Sequence, residues 1–297
     1  MKKLVSPFFA LALIFALYSC ASKQQEDGSA SEDFDAAQED QGGVPDNLEG
    51  IIYNIPPPSE IPYLLMATGV EFNGSLVNSY NIVDKYKTTF DVAALNLGIY
   101  AADLGYLSSN EKTQDAINYL TSMKSLADHL GVSSAYNEEL VVRFESNIGS
   151  SDSLQQIINE GVRKADELLK SEDRSQTAAL MTTGSFVEGL YIATQLIATY
   201  PDNVLTPEQR MTVLTPLITV VLEQENSLGD LIKLATSVPQ DGLIATVVEE
   251  LKELEVIYQE LNIAEKIANN QTEDLLTDET LNRLGDQLKK IRSSIVQ

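Results

Sequence analysis

A single cysteine, Cys20, in 297 residues leaves no intramolecular disulfide to form and no thiolate pair to hold zinc. Histidine is as scarce, since His129 stands alone. A Ser-His-Asp triad would have to use it, yet it sits in Leu126-Ala127-Asp128-His129-Leu130 at the expected end of a helix, where an imidazole beside the last carbonyls is a common structural choice. Neither Glu-x-x-His nor an Asp-x-Asp-x-Asp-Gly loop occurs, which removes the signatures of di-iron and calcium sites. Both glycine-rich nucleotide loops are missing too. The expectation is therefore no catalytic residue, no metal and no cofactor. Positive charge is also short: 20 Lys and Arg against 44 Asp and Glu give a net charge of −24. That is the wrong sign for meeting the phosphates of nucleic acid or for docking on anionic head groups. Runs of β-branched residues in strict alternation are nearly absent, which argues against a sheet.

The amino terminus is where the sequence speaks most clearly. Met1-Lys2-Lys3 is a short basic start, and Phe8 to Leu17 is an unbroken apolar run of ten residues, the length of a signal h-region and too short to span a bilayer. The run ends in Leu17-Tyr18-Ser19-Cys20-Ala21, which resembles the lipobox of bacterial lipoprotein precursors. The resemblance implies that residues 1–19 are removed and that Cys20 carries a diacylglycerol, with a further acyl chain such as palmitate on the new amino terminus. Each buried methylene contributes about 0.8 kcal/mol and two chains already anchor stably, so the expected partner is a membrane, reached through lipid. Loss of Lys2 and Lys3 leaves 18 basic against 44 acidic residues, a mature charge of −26.

Residues 20–50 then read as an acidic tether. Ala21 to Gly50 hold nine acidic residues against Lys23 alone, with Phe34 the sole aromatic. Such a stretch cannot bury enough apolar surface to offset its ordering entropy, so disorder is expected there. Its opening, Ser22-Lys23-Gln24-Gln25-Glu26-Asp27, resembles the acidic export signal that sends some Bacteroidota lipoproteins to the outer face of the outer membrane. A plain solvated linker has the same composition, so both faces of that membrane stay open.

From Ile51 to Gln297 the chain is long enough for a real core, and it is expected to form one all-α domain, a multi-helix bundle. Ile55-Pro56-Pro57-Pro58-Ser59 is too proline-rich for helix or central strand and marks the way in. Helical spacing of apolar residues predicts nine helices, near 60–72, 87–107, 111–130, 134–147, 151–171, 176–200, 207–225, 243–268 and 278–295. Thr206-Pro207-Glu208-Gln209 has the makings of a capping box, and Pro216 should kink or restart the helix behind it. Helices 87–107 and 176–200 are apolar nearly all round and should be central. Both carry Gly-Ile/Leu-Tyr-x-Ala, at 98–102 and 189–193, which places a small residue pair four apart where another backbone can approach; the echo fits either a duplicated helical hairpin or chance. The wording of Ile55 to Ile61, Val83-Asp84-Lys85-Tyr86, Asn96 to Leu104, Ala116-Ile117-Asn118-Tyr119-Leu120 and Leu126-Ala127-Asp128 resembles a family of uncharacterised helical Bacteroidota lipoproteins. That resemblance implies no activity.

Polar residues on these two apolar helices supply the candidate site. Asn96, Tyr100 and Asp103 share one face of the first, while Glu188, Tyr191 and Gln195 share one face of the second. Buried polar groups must be paired or wetted. They form either a hydrogen-bond network that fixes helix register or the lining of a small-ligand pocket, with hydrolase chemistry around Asp103 and Glu188 as the enzymatic alternative. A solvent-reachable, unpaired carboxyl would favour the pocket, and a closed pair the network. The expected role is a membrane-anchored binding or scaffold module of the cell envelope, acting on a protein partner or small ligand and not on nucleic acid.

Overall fold

The computed structural model of the chain describes residues 55–200, 206–262, 265–266 and 279–297. The export signal of 1–19, Cys20, the tether of 20–50 and the expected domain start at Ile51 lie outside those residues. Among the described residues the fold is all-α, with ten α-helices and no strand. They are α1 (Glu60–Ala67), α2 (Phe90–Ser109), α3 (Thr113–Leu130), α4 (Glu138–Ser146), α5 (Ser151–Ser171), α6 (Ser175–Ala198), α7 (Pro207–Leu222), α8 (Glu225–Thr236), α9 (Gly242–Leu261) and α10 (Glu279–Ile295). A 3-10 helix, Tyr80–Lys87, precedes α2, and another, Ser133–Tyr136, precedes α4. None of the described helices is long and apolar enough to cross a membrane.

Side chains set several of the helix ends. Thr89 caps α2 by accepting from the Val92 amide, and Asn137 caps α4 through the Leu140 amide. The box at Thr206 forms as its spacing predicts, with Thr206 Oγ1 accepting from the Gln209 amide and Gln209 Oε1 from the Thr206 amide. Gly131, at φ 76°, stops α3 in the left-handed region that favours glycine.

Four expectations need correction. The first helix ends at Ala67 and not near 72, because Gly69 turns the chain at φ 77°. Of the two outcomes open at Pro216, a kink or a restart, the restart drops out, since α7 continues through it to Leu222. Helix α8 lies outside the nine predicted: the helix expected over 207–225 ends at Leu222, and a further one starts at Glu225, with Leu228, Leu231, Ile232 and Ala235 as its buried stripe. Finally α9 closes at Leu261, where Asn262 adopts φ 48° and interrupts the single helix expected over 243–268; residues 265–266 are helical again.

Helices α2 and α6 are the centre, as their all-round apolarity requires. Every residue from Ala93 to Ser109 is buried, and so is α6 from Ala178 to Ile197 apart from Thr182 and Gln195. Their contact is made by Gly98 and Gly184, and not by the Gly98/Ala102 and Gly189/Ala193 pairs that the shared motif suggests. A Cβ on Gly98 would collide with the Met181 carbonyl oxygen, and one on Gly184 with the Leu95 carbonyl oxygen. Gly189 instead meets Ile61 of α1, with its Cβ position 3.2 Å from the Ile61 Cδ1. The two Gly-x-Tyr-x-Ala echoes therefore pack against different neighbours. Around this centre, Leu284, Leu288 and Ile291 of α10 are fully buried, as are Leu251, Leu254 and Tyr258 of α9.

Candidate functional site

Asp103 and Glu188, one from each central helix, are both 0% exposed. Their carboxyls are near enough for Glu188 to raise the Asp103 carboxyl directly. Glu188 Oε2 accepts from Arg292 Nε at 2.7 Å, and Asp103 Oδ2 accepts from the Asn78 amide at 3.0 Å. The remaining oxygens, Asp103 Oδ1 and Glu188 Oε1, are buried with no donor in reach. Two neighbouring buried carboxyls that each keep an acceptor without a donor are relieved if a proton on one of them is shared with the other. Charge points the same way, because two carboxylates beside one guanidinium would leave a net negative charge buried. Burial first, and then the facing Glu188, hold the Asp103 carboxyl well above the usual carboxylate range, with Arg292 pulling the other way. Asp103 is therefore the member of the pair that burial and its neighbour keep protonated, which makes it a donor toward Glu188.

Arg292 comes from α10 and completes the group. Burial works against its charge, but the Glu188 carboxylate and its hydrogen bond more than offset that, so the guanidinium stays protonated. It stacks 4.3 Å over the Tyr191 ring and donates through Nη2 to the Leu76 carbonyl.

A strap, residues 73–80, non-helical up to Ser79 and ending at the first residue of the 3-10 helix, runs over this group, and the surrounding helices hold it by its peptide groups. Along α2, Tyr106 Oη accepts from the Asn73 amide, Asp103 takes the Asn78 amide, and Tyr100 Oη donates to the Ser79 carbonyl at 2.8 Å. From α3, Tyr119 donates to the Asn78 carbonyl and Ser122 to the Tyr80 carbonyl. The order is antiparallel, strap 73–78–79 against helix 106–103–100, and the three-residue helical spacing puts all three side chains on one face. Tyr86 adds an accepting hydroxyl for Asn78 Nδ2 at 3.0 Å. The Tyr100 ring meets those of Tyr86 and Tyr119 edge-on, at 6.0 and 5.6 Å. Burial raises Tyr86, Tyr100, Tyr119 and Tyr191 above the ordinary phenol value, so they remain neutral donors.

Of the six residues singled out by sequence, Asp103 and Glu188 meet directly, Tyr191 joins through Arg292, and Tyr100 joins through the strap. Asn96 lies on the same helix but serves α10, donating to the Ile295 carbonyl at 3.2 Å. Gln195 stays out of the group and lines a separate cavity of about 90 Å³ with Thr194 and Gly285. The sequence reading missed Arg292, Asn78, Tyr106 and Tyr119. Arg292 left a trace, since it lies inside the apolar register of Leu288, Ile291 and Ile295; Asn78 left none.

Among the described residues both members of the carboxyl pair are fully covered. Space exists elsewhere, in a groove of about 480 Å³ between the wall Pro56-Pro57-Pro58, the α5 residues Asn159 and Val162, and Met181 of α6. The chain matches no known protein family, no curated protein and no solved structure.

Proposed function

We propose that this chain is a lipid-anchored protein of the bacterial outer membrane that acts as a non-enzymatic binding or scaffold module of the cell envelope. The anchor rests on the lipobox-like Leu17 to Cys20 and the apolar run before it. The absence of catalysis rests on one observation, the complete burial of Asp103 and Glu188. A hydrolase would need at least one of them to reach a substrate, and general acid–base work requires a group within hydrogen-bond distance of the proton it moves. Their arrangement instead suits a polar core that fixes how α2, α6, α10 and the strap sit on one another. Small-ligand binding, the second reading, has its room in the proline-walled groove of about 480 Å³, a volume within the range of ligand pockets.

The test is capture of the mature, lipidated protein from cross-linked envelopes, followed by mass spectrometry. A reproducible protein partner supports the scaffold. Turnover of an envelope substrate by the purified protein, abolished in Asp103→Ala, would refute it.

A further inference from the structure

The strap is unusual in where its backbone hydrogen bonds go. Loops of helical proteins ordinarily leave their amides and carbonyls to water; this one hands the Asn73 and Asn78 amides and the Leu76, Asn78, Ser79 and Tyr80 carbonyls to side chains of α2, α3 and α10. Two of those six bonds, at Leu76 and Asn78, end on Arg292 and Asp103, members of the buried charged group. Ser75 and Ser79 are exposed while Leu76 and Asn78, which bond Arg292 and Asp103, are buried, so the strap has one side on the charged group and the other in solvent. The same group holds α10 through Arg292 and Glu188.

We propose that residues 73–80 form a proton-held latch: one proton shared between Asp103 and Glu188 keeps the strap shut, and its loss lifts the strap and loosens the end of α10. The proposal rests on the reading of the carboxyl pair as a closed structural network. With the proton gone, two carboxylates face each other beside a single guanidinium, and no other cation among the described residues donates to either of them. The groups around them are the phenols of Tyr86, Tyr100, Tyr119 and Tyr191, none of which supplies positive charge. Hydration is the remaining relief for the second charge, and lifting the strap is what admits water. Opening removes the carbonyl acceptor of Arg292 at Leu76, so the cation that ties α10 to α6 loses one of its anchors at the same step. The high value of the Asp103 carboxyl agrees with this geometry.

Linkage fixes the size of the effect. If opening releases one proton, the opening equilibrium rises about tenfold per pH unit between the ordinary carboxyl value and the raised value of the closed pair. Hydrogen exchange of the full-chain protein reads this directly, once rates are corrected for the pH dependence of unprotected amides. The buried amides of α9 from Leu251 to Tyr258 serve as the internal reference. Protection at Asn78 is expected to fall about tenfold per pH unit while the α9 reference does not. Asp103→Asn, which keeps both the donor toward Glu188 and the acceptor for Asn78 but holds no titrating proton, should remove the slope. Should that variant fail to fold, Glu188→Gln removes the second negative charge and should flatten the slope likewise. A wild-type slope near zero, or an unchanged slope in the folded variants, overturns the latch while leaving the network reading intact. Rapid carbodiimide labelling of Asp103 at neutral pH would instead overturn the network reading itself, by showing that the pair is open to solvent.

Discussion

Arg292 and Glu188 stand 104 positions apart in the chain and meet at 2.7 Å inside it. Removing one partner of a buried pair leaves the other charge without compensation, typically at about 3–5 kcal/mol, whereas replacing both by apolar groups of similar volume is often neutral. Arg292→Met should therefore lose several kcal/mol in urea unfolding. The double change Arg292→Met with Glu188→Leu should recover much of it, although Asp103 then keeps its proton without an acceptor. A double variant no better than the single one would mean that Arg292 contributes through packing on Tyr191.

The pH dependence of stability has a definite sign. The folded value of Asp103 lies above the unfolded one, so the native state binds more protons in the window between them. Its stabilising contribution is complete below about pH 4 and declines as pH rises through that window, by at most about 1.4 kcal/mol per pH unit. Against Asp103→Asn measured in parallel, the wild type should become relatively less stable as pH increases. Asp103→Ala, which abandons both Asn78 and Glu188, should be less stable than either at every pH. Denaturant curves at several pH values decide this.

At the α2–α6 crossing the glycines are not interchangeable. Gly98→Ala and Gly184→Ala each push a methyl into a facing backbone carbonyl, which cannot rotate away as a side chain can. Both should lower the melting temperature clearly, since overpacking costs about 1–3 kcal/mol or more. Gly189→Ala meets only the Ile61 side chain and should be milder. Because Gly98 and Gly184 share one contact, their double variant should be non-additive. Equal losses at all three positions would remove the distinction.

For the anchor, Cys20→Ser should abolish incorporation of a fatty-acid probe, because that cysteine is the only thiol in the chain. Labelling of the mutant at the wild-type level would end the lipoprotein reading.

What the sequence revealed of this fold was what periodicity encodes. The stripes of α3, α9 and α10 and the all-round apolarity of α2 and α6 follow from burial, and burial repeats every 3.6 residues. The two carboxyls were legible for the same reason, as charged residues on helices with no wet face. Arg292 was harder because its long side chain crosses from α10, and pairing across 104 positions leaves no local spacing to find. The strap was out of reach altogether. Asn73-Gly74-Ser75 reads as an ordinary turn, and nothing in Leu76-Val77-Asn78 announces that tyrosines at 100, 106 and 119 will bond its peptide groups. Gly184 was passed over since no echo elsewhere in the chain drew attention to it.

Because the helices grip the strap by amides and carbonyls, they are nearly blind to which side chains it carries at its exposed positions. What they measure is length. The three residues that α2 presents, Tyr100, Asp103 and Tyr106, lie at fixed steps of about 4.5 Å along its axis, so one residue inserted between Asn73 and Asn78 would set the Asn73 amide out of step with the bonds at Asn78 and Ser79. A saturation scan of 73–80 should find the exposed Ser75 and Ser79 permissive to substitution and the whole segment intolerant of insertion or deletion, the reverse of the usual behaviour of a surface loop.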